Sequence, residues 1–139
     1  MGNKIINSVY KKGMAFSTEL EGHSITIDLT AEHGGNNLGP GPKSLMLVSL
    51  AGCTGVDVVA ILNKMKVVYA DLSIKVEAHV TEEHPKIYDA VTVTYTIRVS
   101  KADEPRVKKA VDLSQEKYCG VSEMFRAFSK LSSQVVYLR

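Results

Sequence analysis

The stretch from Lys43 to Lys66 constrains this chain more than any other, because its pattern is helical and it is apolar nearly all round. Leu45, Met46, Leu47, Val48, Leu50, Ala51, Cys53, Val56, Val58, Val59, Ile61, Leu62 and Met65 spread over every face of one helix. Pro42 suits its first turn. A helix apolar on all sides must be covered on all sides, and one small sheet covers only one. Either the chain wraps the helix completely or a second copy supplies the rest, and this is a physical argument for a dimer. Ser49, Gly52, Thr54, Gly55 and Asp57 interrupt the run, which favours a buried core helix over a membrane span.

The segments around this helix read as strands and smaller helices. Lys4 to Tyr10, Met14 to Leu20 and Ile25 to Leu29 are short alternating runs joined by Lys12-Gly13 and Glu21-Gly22, as in an antiparallel meander. Thr30 to Pro42, TAEHGGNNLGPGP, is a long loop, either a connector or a functional element. Leu72 to Thr81 and Val91 to Ser100 alternate with period two, each with one core face. Asp103 opens an amphipathic helix with Pro105 in its first turn and Val107, Ala110, Val111 and Tyr118 on the inner face. Ser122 is placed to cap a short helix from Glu123 to Leu131, and Gln134 to Leu138 closes the chain as a strand. The expected class is α+β, a single domain over residues 1–139 with an antiparallel sheet drawn from both halves.

Composition narrows the function classes. Hydrophobic residues make up 45% and charged residues 23%, which is the balance of a folded globular protein. The net charge of +2 is spread over both signs, and the basic residues form only pairs such as Lys11-Lys12 and Lys108-Lys109. A nucleic-acid partner is therefore not expected. No apolar segment follows Asn3-Lys4, and Ile6 breaks a myristoylation pattern, so neither secretion nor a membrane association is expected. The expected location is cytoplasmic, where thiols stay reduced.

That makes the two cysteines, Cys53 and Cys119, the centre of interest. Cys53 lies mid-helix between Gly52 and Gly55, a pairing that suggests close approach of another backbone or room for a substrate. Cys119 precedes a helix across Gly120, whose positive end favours a thiolate; on sequence grounds Cys119 is the more acidic thiol. Two other readings stay open: a pair of small buried hydrophobes, or a structural disulfide. The four histidines show no HxxxH or HExxH spacing and no CxxC is present, so no resident metal is expected. Asp57, four residues after Cys53 on the same face, either orients a group or simply caps a polar patch, and a carboxylate so near disfavours a thiolate. Neither a phosphate cradle nor a GxSxG nucleophile signature is present.

Gly39-Pro40-Gly41-Pro42-Lys43-Ser44-Leu45-Met46-Leu47, Ser49-Leu50-Ala51-Gly52-Cys53-Thr54-Gly55, Tyr118-Cys119-Gly120-Val121-Ser122 and His84-Pro85-Lys86-Ile87-Tyr88 together resemble the OsmC/Ohr family, in its OsmC-like branch. The resemblance implies an intertwined homodimer, with antiparallel sheets wrapped around two central apolar helices. It implies that Cys53 attacks an organic hydroperoxide and becomes a sulfenic acid, that Cys119 resolves it as a disulfide, and that an external dithiol, lipoyl-type in some members, reduces the pair. No bound cofactor is implied. The substrate pocket would lie at the dimer interface, with Lys43, Leu38, Pro40 and Gly52 around it. The sequence departs from the peroxidase branches in three respects, one being Gly120 in place of the proline often found after the second cysteine. Lys43 stands where they carry a glutamate, and no arginine precedes Arg98 to activate the thiolate. A cation at Lys43 lies about 15 Å along the helix from Cys53 and would act only across an interface. The departures motivate an alternative from another class, a small-molecule or acyl-group binding protein without efficient peroxidase activity.

Overall fold

The computed structural model describes residues 2–139. Its six strands and three α-helices form two three-stranded sheets, the α+β class expected. The chain divides into two compact units, Met1–Met46 and Leu47–Arg139.

The N-terminal unit is a meander of β1 (Ser8–Lys12), β2 (Ala15–Leu20) and β3 (His23–Ile27), antiparallel throughout. Glu21 and Gly22 join β2 to β3 with φ of 52° and 81°. Two central residues with positive φ make a turn whose twist matches the strands it joins. The loop beyond β3 is organised by Asp28. Its carboxylate accepts the backbone N–H groups of Leu29, Asn36 and Leu38 at 2.7, 3.2 and 3.1 Å, and its own N–H donates to the Pro40 carbonyl at 3.1 Å. Gly35 and Gly39 permit this fold-back, since a Cβ on either would stand 2.0 Å from the Leu29 carbonyl oxygen or 2.1 Å from that of Thr26. The buried residues of this unit are Ala15 and Asp28, whereas Ile5, Val9 and Tyr10 are exposed.

Helix α1 (Ser44–Lys64) runs close to the expected limits. In the C-terminal unit it is followed by β4 (Tyr69–Val80), β5 (Tyr88–Val99), α2 (Glu104–Leu113), a π-turn (Ser114–Tyr118), α3 (Gly120–Phe128) and β6 (Lys130–Leu138). The core joins Leu50, Val58 and Leu62 of α1 to Val91, Val93, Tyr95 and Ile97 of β5, with Val107, Ala110 and Val111 of α2 and Phe125 of α3. Burying a side chain of this size contributes on the order of 1.5–3 kcal/mol.

Five details differ from expectation. The strands form two separate sheets, and β6 runs parallel to β5. The two are joined by the helical crossover α2–α3, as parallel neighbours require. Strand β6 begins four residues early, at Lys130, because Ser132 and Ser133, both exposed on successive faces, mask the alternation. Helix α3 starts at Gly120, since its cap is the Cys119 sulfur and not Ser122. Tyr118 is 54% exposed, because the π-turn rotates it off the inner face.

Helix α1 has the length and hydropathy of a membrane span, yet only 22% of its most apolar window is buried within the chain. Val48 and Val56 are 64% and 70% exposed. They border an open apolar groove of about 730 Å³ shared with Gly52, Val59, Leu72 and Ile74. The helix is covered by its own chain on one side only.

Candidate active site

The C-terminal unit brings Cys53 and Cys119 together from elements far apart in sequence. The two sulfurs and an Asp57 carboxylate oxygen all lie within 4.8 Å of one another, and no disulfide joins the thiols. Cys53 and Asp57 meet because positions i and i+4 of α1 share a face. Cys119 arrives through the π-turn. There the Cys119 N–H reaches the Ser114 carbonyl at 2.8 Å, one residue further than an α-helical bond. Such widened turns recur at functional sites. The turn also faces both Ser114 and Gln115 inward, where both are buried.

Behind the cluster runs a buried chain of hydrogen bonds. Gln115 Nε2 donates to the Tyr95 hydroxyl at 2.6 Å. Tyr95 and Thr54 hydroxyls are 2.5 Å apart, Thr54 and Ser114 hydroxyls 2.8 Å, and Ser114 Oγ is 3.1 Å from Asp57 Oδ2. An amide nitrogen only donates and an ionised carboxylate only accepts. The direction is therefore set from both ends: Gln115 to Tyr95, Tyr95 to Thr54, Thr54 to Ser114, Ser114 to Asp57. Each of the three hydroxyls donates once and accepts once, so none of the three is left unpaired, and the Asp57 carboxylate is held in one orientation. Burial pushes the Tyr95 phenol above its ordinary pKa, against the hydrogen bonds of Thr54 and Gln115, and it stays a neutral donor.

Cys119 is 3% exposed and Cys53 half-buried. The Cys119 sulfur accepts the Ser122 N–H at 3.3 Å at the start of α3. The expectation that the helix start lowers the Cys119 pKa is not met. Burial pushes its pKa up; the Ser122 hydroxyl and N–H pull it down without cancelling this, and the adjoining Cys53 raises it further. A nine-residue helix supplies a partial charge at its N-terminus, and here that is weaker than loss of water. The Ser122 hydroxyl is fully buried and has no hydrogen-bond partner of good geometry; the neighbouring Cys119 sulfur is the group it bears on.

The other residues singled out in the sequence have distinct settings. Gly52 borders the open apolar groove, and a Cβ there would meet nothing within 4 Å, so it provides room. At Gly55 a Cβ would stand 2.9 Å from the Ile74 Cδ1 atom; this glycine lets a side chain of β4 approach the helix. In the N-terminal unit, Leu38 and Pro40 belong to the loop pinned by Asp28, and the Lys43 carbonyl accepts the Met46 N–H at the start of α1. Asp57 also lines a cleft of about 530 Å³ with Ile61, Met65, Leu113, Tyr118 and the exposed Lys64 and Lys109. The sequence reading missed Thr54, Tyr95, Ser114, Gln115 and Ser122. Their only signal was a polar group at a position where the periodicity calls for burial.

A small α+β protein with a helix-borne cysteine, a second cysteine at a helix start and a carboxylate between them defines a narrow class. The OsmC-like protein family matches residues 34–133, and the chain belongs to that family. Protein YhfA of Escherichia coli strain K12 is 31% identical over 114 residues, covering 81% of this chain and 82% of that protein. Among solved structures, a hypothetical protein from Aquifex aeolicus VF5 aligns over 100% of both chains with a TM-score of 0.81 and 31% identity. An organic hydroperoxide resistance protein from Legionella pneumophila shares the fold, with a TM-score of 0.68, 16% identity and 98% coverage of each chain.

Proposed function

We propose that this protein reduces organic hydroperoxides by a two-cysteine mechanism. The observation that carries the reading is the proximity of the Cys53 and Cys119 sulfurs. The Cys53 thiolate attacks the distal hydroperoxide oxygen and releases the alcohol, leaving Cys53 as a sulfenic acid. The Cys119 sulfur then displaces water and forms the disulfide, which an external dithiol of lipoyl type returns to two thiols. Cys53 is the more accessible sulfur and Cys119 the buried one, the order this sequence of attacks needs. The name of the Legionella relative supports the substrate class. No bound cofactor takes part, and the setting is a reducing, cytoplasmic one.

The proposed assembly is a homodimer. Exposed Val48 and Val56 on α1, and exposed Ile5, Val9 and Tyr10 beside a unit that buries so little, call for a second copy as cover. The test of the activity is to treat reduced protein with cumene hydroperoxide and follow intact mass and disulfide mapping. Consumption of peroxide with a Cys53–Cys119 bond is the expected result. Absence of both ends the peroxidase reading.

Two observations favour a second reading, a small-molecule or acyl-group binding protein whose thiols are ancillary. Burial holds the Cys119 thiol protonated, and the sequence has Lys43 in place of the activating glutamate. A Cys53 pKa at or above that of a free thiol favours this reading.

A further inference from the structure

Both proposed activities leave the Asp57 carboxylate unexplained. It lies beside the Cys53 sulfur, which a peroxidase needs as an anion, and a second negative charge opposes that. A cation between the three groups turns the opposition into attraction. We propose that the reduced Cys53–Asp57–Cys119 cluster binds one zinc ion, with water as the fourth ligand, and that oxidation of the two thiols releases it.

The donor set suits a borderline-soft divalent ion: two thiolates and a carboxylate. Two sulfurs bound to one zinc at about 2.3 Å stand roughly 3.8 Å apart at the tetrahedral angle, within the 4.8 Å span of the cluster. The surroundings are those that tune metal ligands. Asp57 Oδ2 accepts the Ser114 hydroxyl, the last link of the directed chain from Gln115, so the carboxylate is oriented before any ion arrives. The Cys119 sulfur accepts the Ser122 N–H. The buried Ser122 hydroxyl, without a partner of good geometry, is a donor that a Cys119 thiolate would satisfy. Cys53 and Asp57 are only half-buried, which leaves one side open for water and for exchange. Sequence spacing did not show the site because its donors are an i, i+4 pair on α1 and a residue brought in by the π-turn.

Bound zinc and the disulfide exclude one another, because a sulfur joined to sulfur is no longer a thiolate ligand. The release step rests on the peroxidase reading. An organic hydroperoxide accepts the two electrons of the dithiolate and, with two protons from solvent, becomes alcohol and water; the sulfurs join, and Zn²⁺ leaves.

The test uses reduced, metal-free protein of full length, titrated anaerobically with Zn²⁺ against a chromogenic chelator, with Co²⁺ as spectroscopic probe. One zinc per chain and the sulfur-to-cobalt charge-transfer and tetrahedral bands are expected. Cys53→Ser and Cys119→Ser should each abolish binding in the measurable range. Ser114→Ala keeps all three donors and should weaken binding by about 10–100-fold. Asp57→Asn should weaken it at least as much. Zinc held equally well by wild type, Ser114→Ala and Asp57→Asn would mean chelation by an ordinary pair of thiols and would overturn the site, as would substoichiometric binding. Diamide then oxidises the pair without peroxide; zinc that stays bound to the disulfide form overturns the release. Because the titration contains no peroxide, a protein that consumes cumene hydroperoxide but does not bind zinc refutes this inference alone. One that binds zinc but forms no disulfide with peroxide refutes only the peroxidase reading.

Discussion

Two aspartates, one in each unit, show what separates a structural polar group from a chemical one. Asp28 is 1% exposed, and its two oxygens accept three backbone N–H groups. Its partners are the loop itself, and its role is to close that loop. Asp57 accepts the Ser114 hydroxyl at one oxygen and otherwise faces two sulfurs and a cleft. A buried carboxylate that accepts three backbone donors has little capacity left for a ligand. One held at a single oxygen and aimed at thiols keeps that capacity.

The largest effect expected is on the chemical side of this comparison. Cys119→Ser should abolish the intramolecular disulfide and leave a Cys53 sulfenic acid that dimedone traps after one turnover with cumene hydroperoxide. An unlabelled protein with peroxide consumption intact would remove Cys53 from the chemistry.

Asp28 tests the structural side. Burial alone would raise its pKa, but the backbone N–H groups of Leu29, Leu38 and Asn36 outweigh burial and hold it below the ordinary value. A carboxyl with a depressed folded-state pKa stabilises the fold fully above its unfolded value of about 3.9 and loses this as pH falls through the folded value. Asp28→Asn should therefore lower Tm at pH 7, and the gap from wild type should close on acidification below about pH 4. A gap independent of pH would show that the carboxylate charge is not what holds the loop.

Tyr95→Phe breaks the chain that orients Asp57. It leaves the Gln115 amide without an acceptor, at a cost of about 1–3 kcal/mol in urea unfolding. Unchanged stability would mean that the hydroxyl chain is re-satisfied by water and does not fix the carboxylate.

The smallest effect concerns the two glycines beside Cys53. Replacing a helical glycine by alanine contributes up to about 1 kcal/mol. Gly52→Ala meets open space and should gain most of this within one chain, whereas Gly55→Ala must displace the Ile74 side chain and should gain less or lose. Sedimentation at micromolar concentration adds a second reading of Gly52→Ala. A weakened self-association would show a partner seated closely on the groove.

The amino-acid sequence by itself determined the elements and the pair that matters. The all-round apolar α1, the alternating β4 and β5 and the amphipathic α2 were legible because burial imposes a local period on each. The family was legible because its motifs surround both cysteines. Tertiary structure decided what those periods do not encode. The parallel placement of β6 depends on where the α2–α3 crossover returns the chain. The convergence of Cys53, Asp57 and Cys119, and the line from Gln115 through Tyr95, Thr54 and Ser114, join α1, β5 and the π-turn. One extra residue in that turn sets which side chains face inward, and the sequence carries no period from which to read it. The acidity of Cys119 was decided the same way. Its place before a helix is a local fact that favours the thiolate, but its burial is a property of the whole unit, and burial prevails.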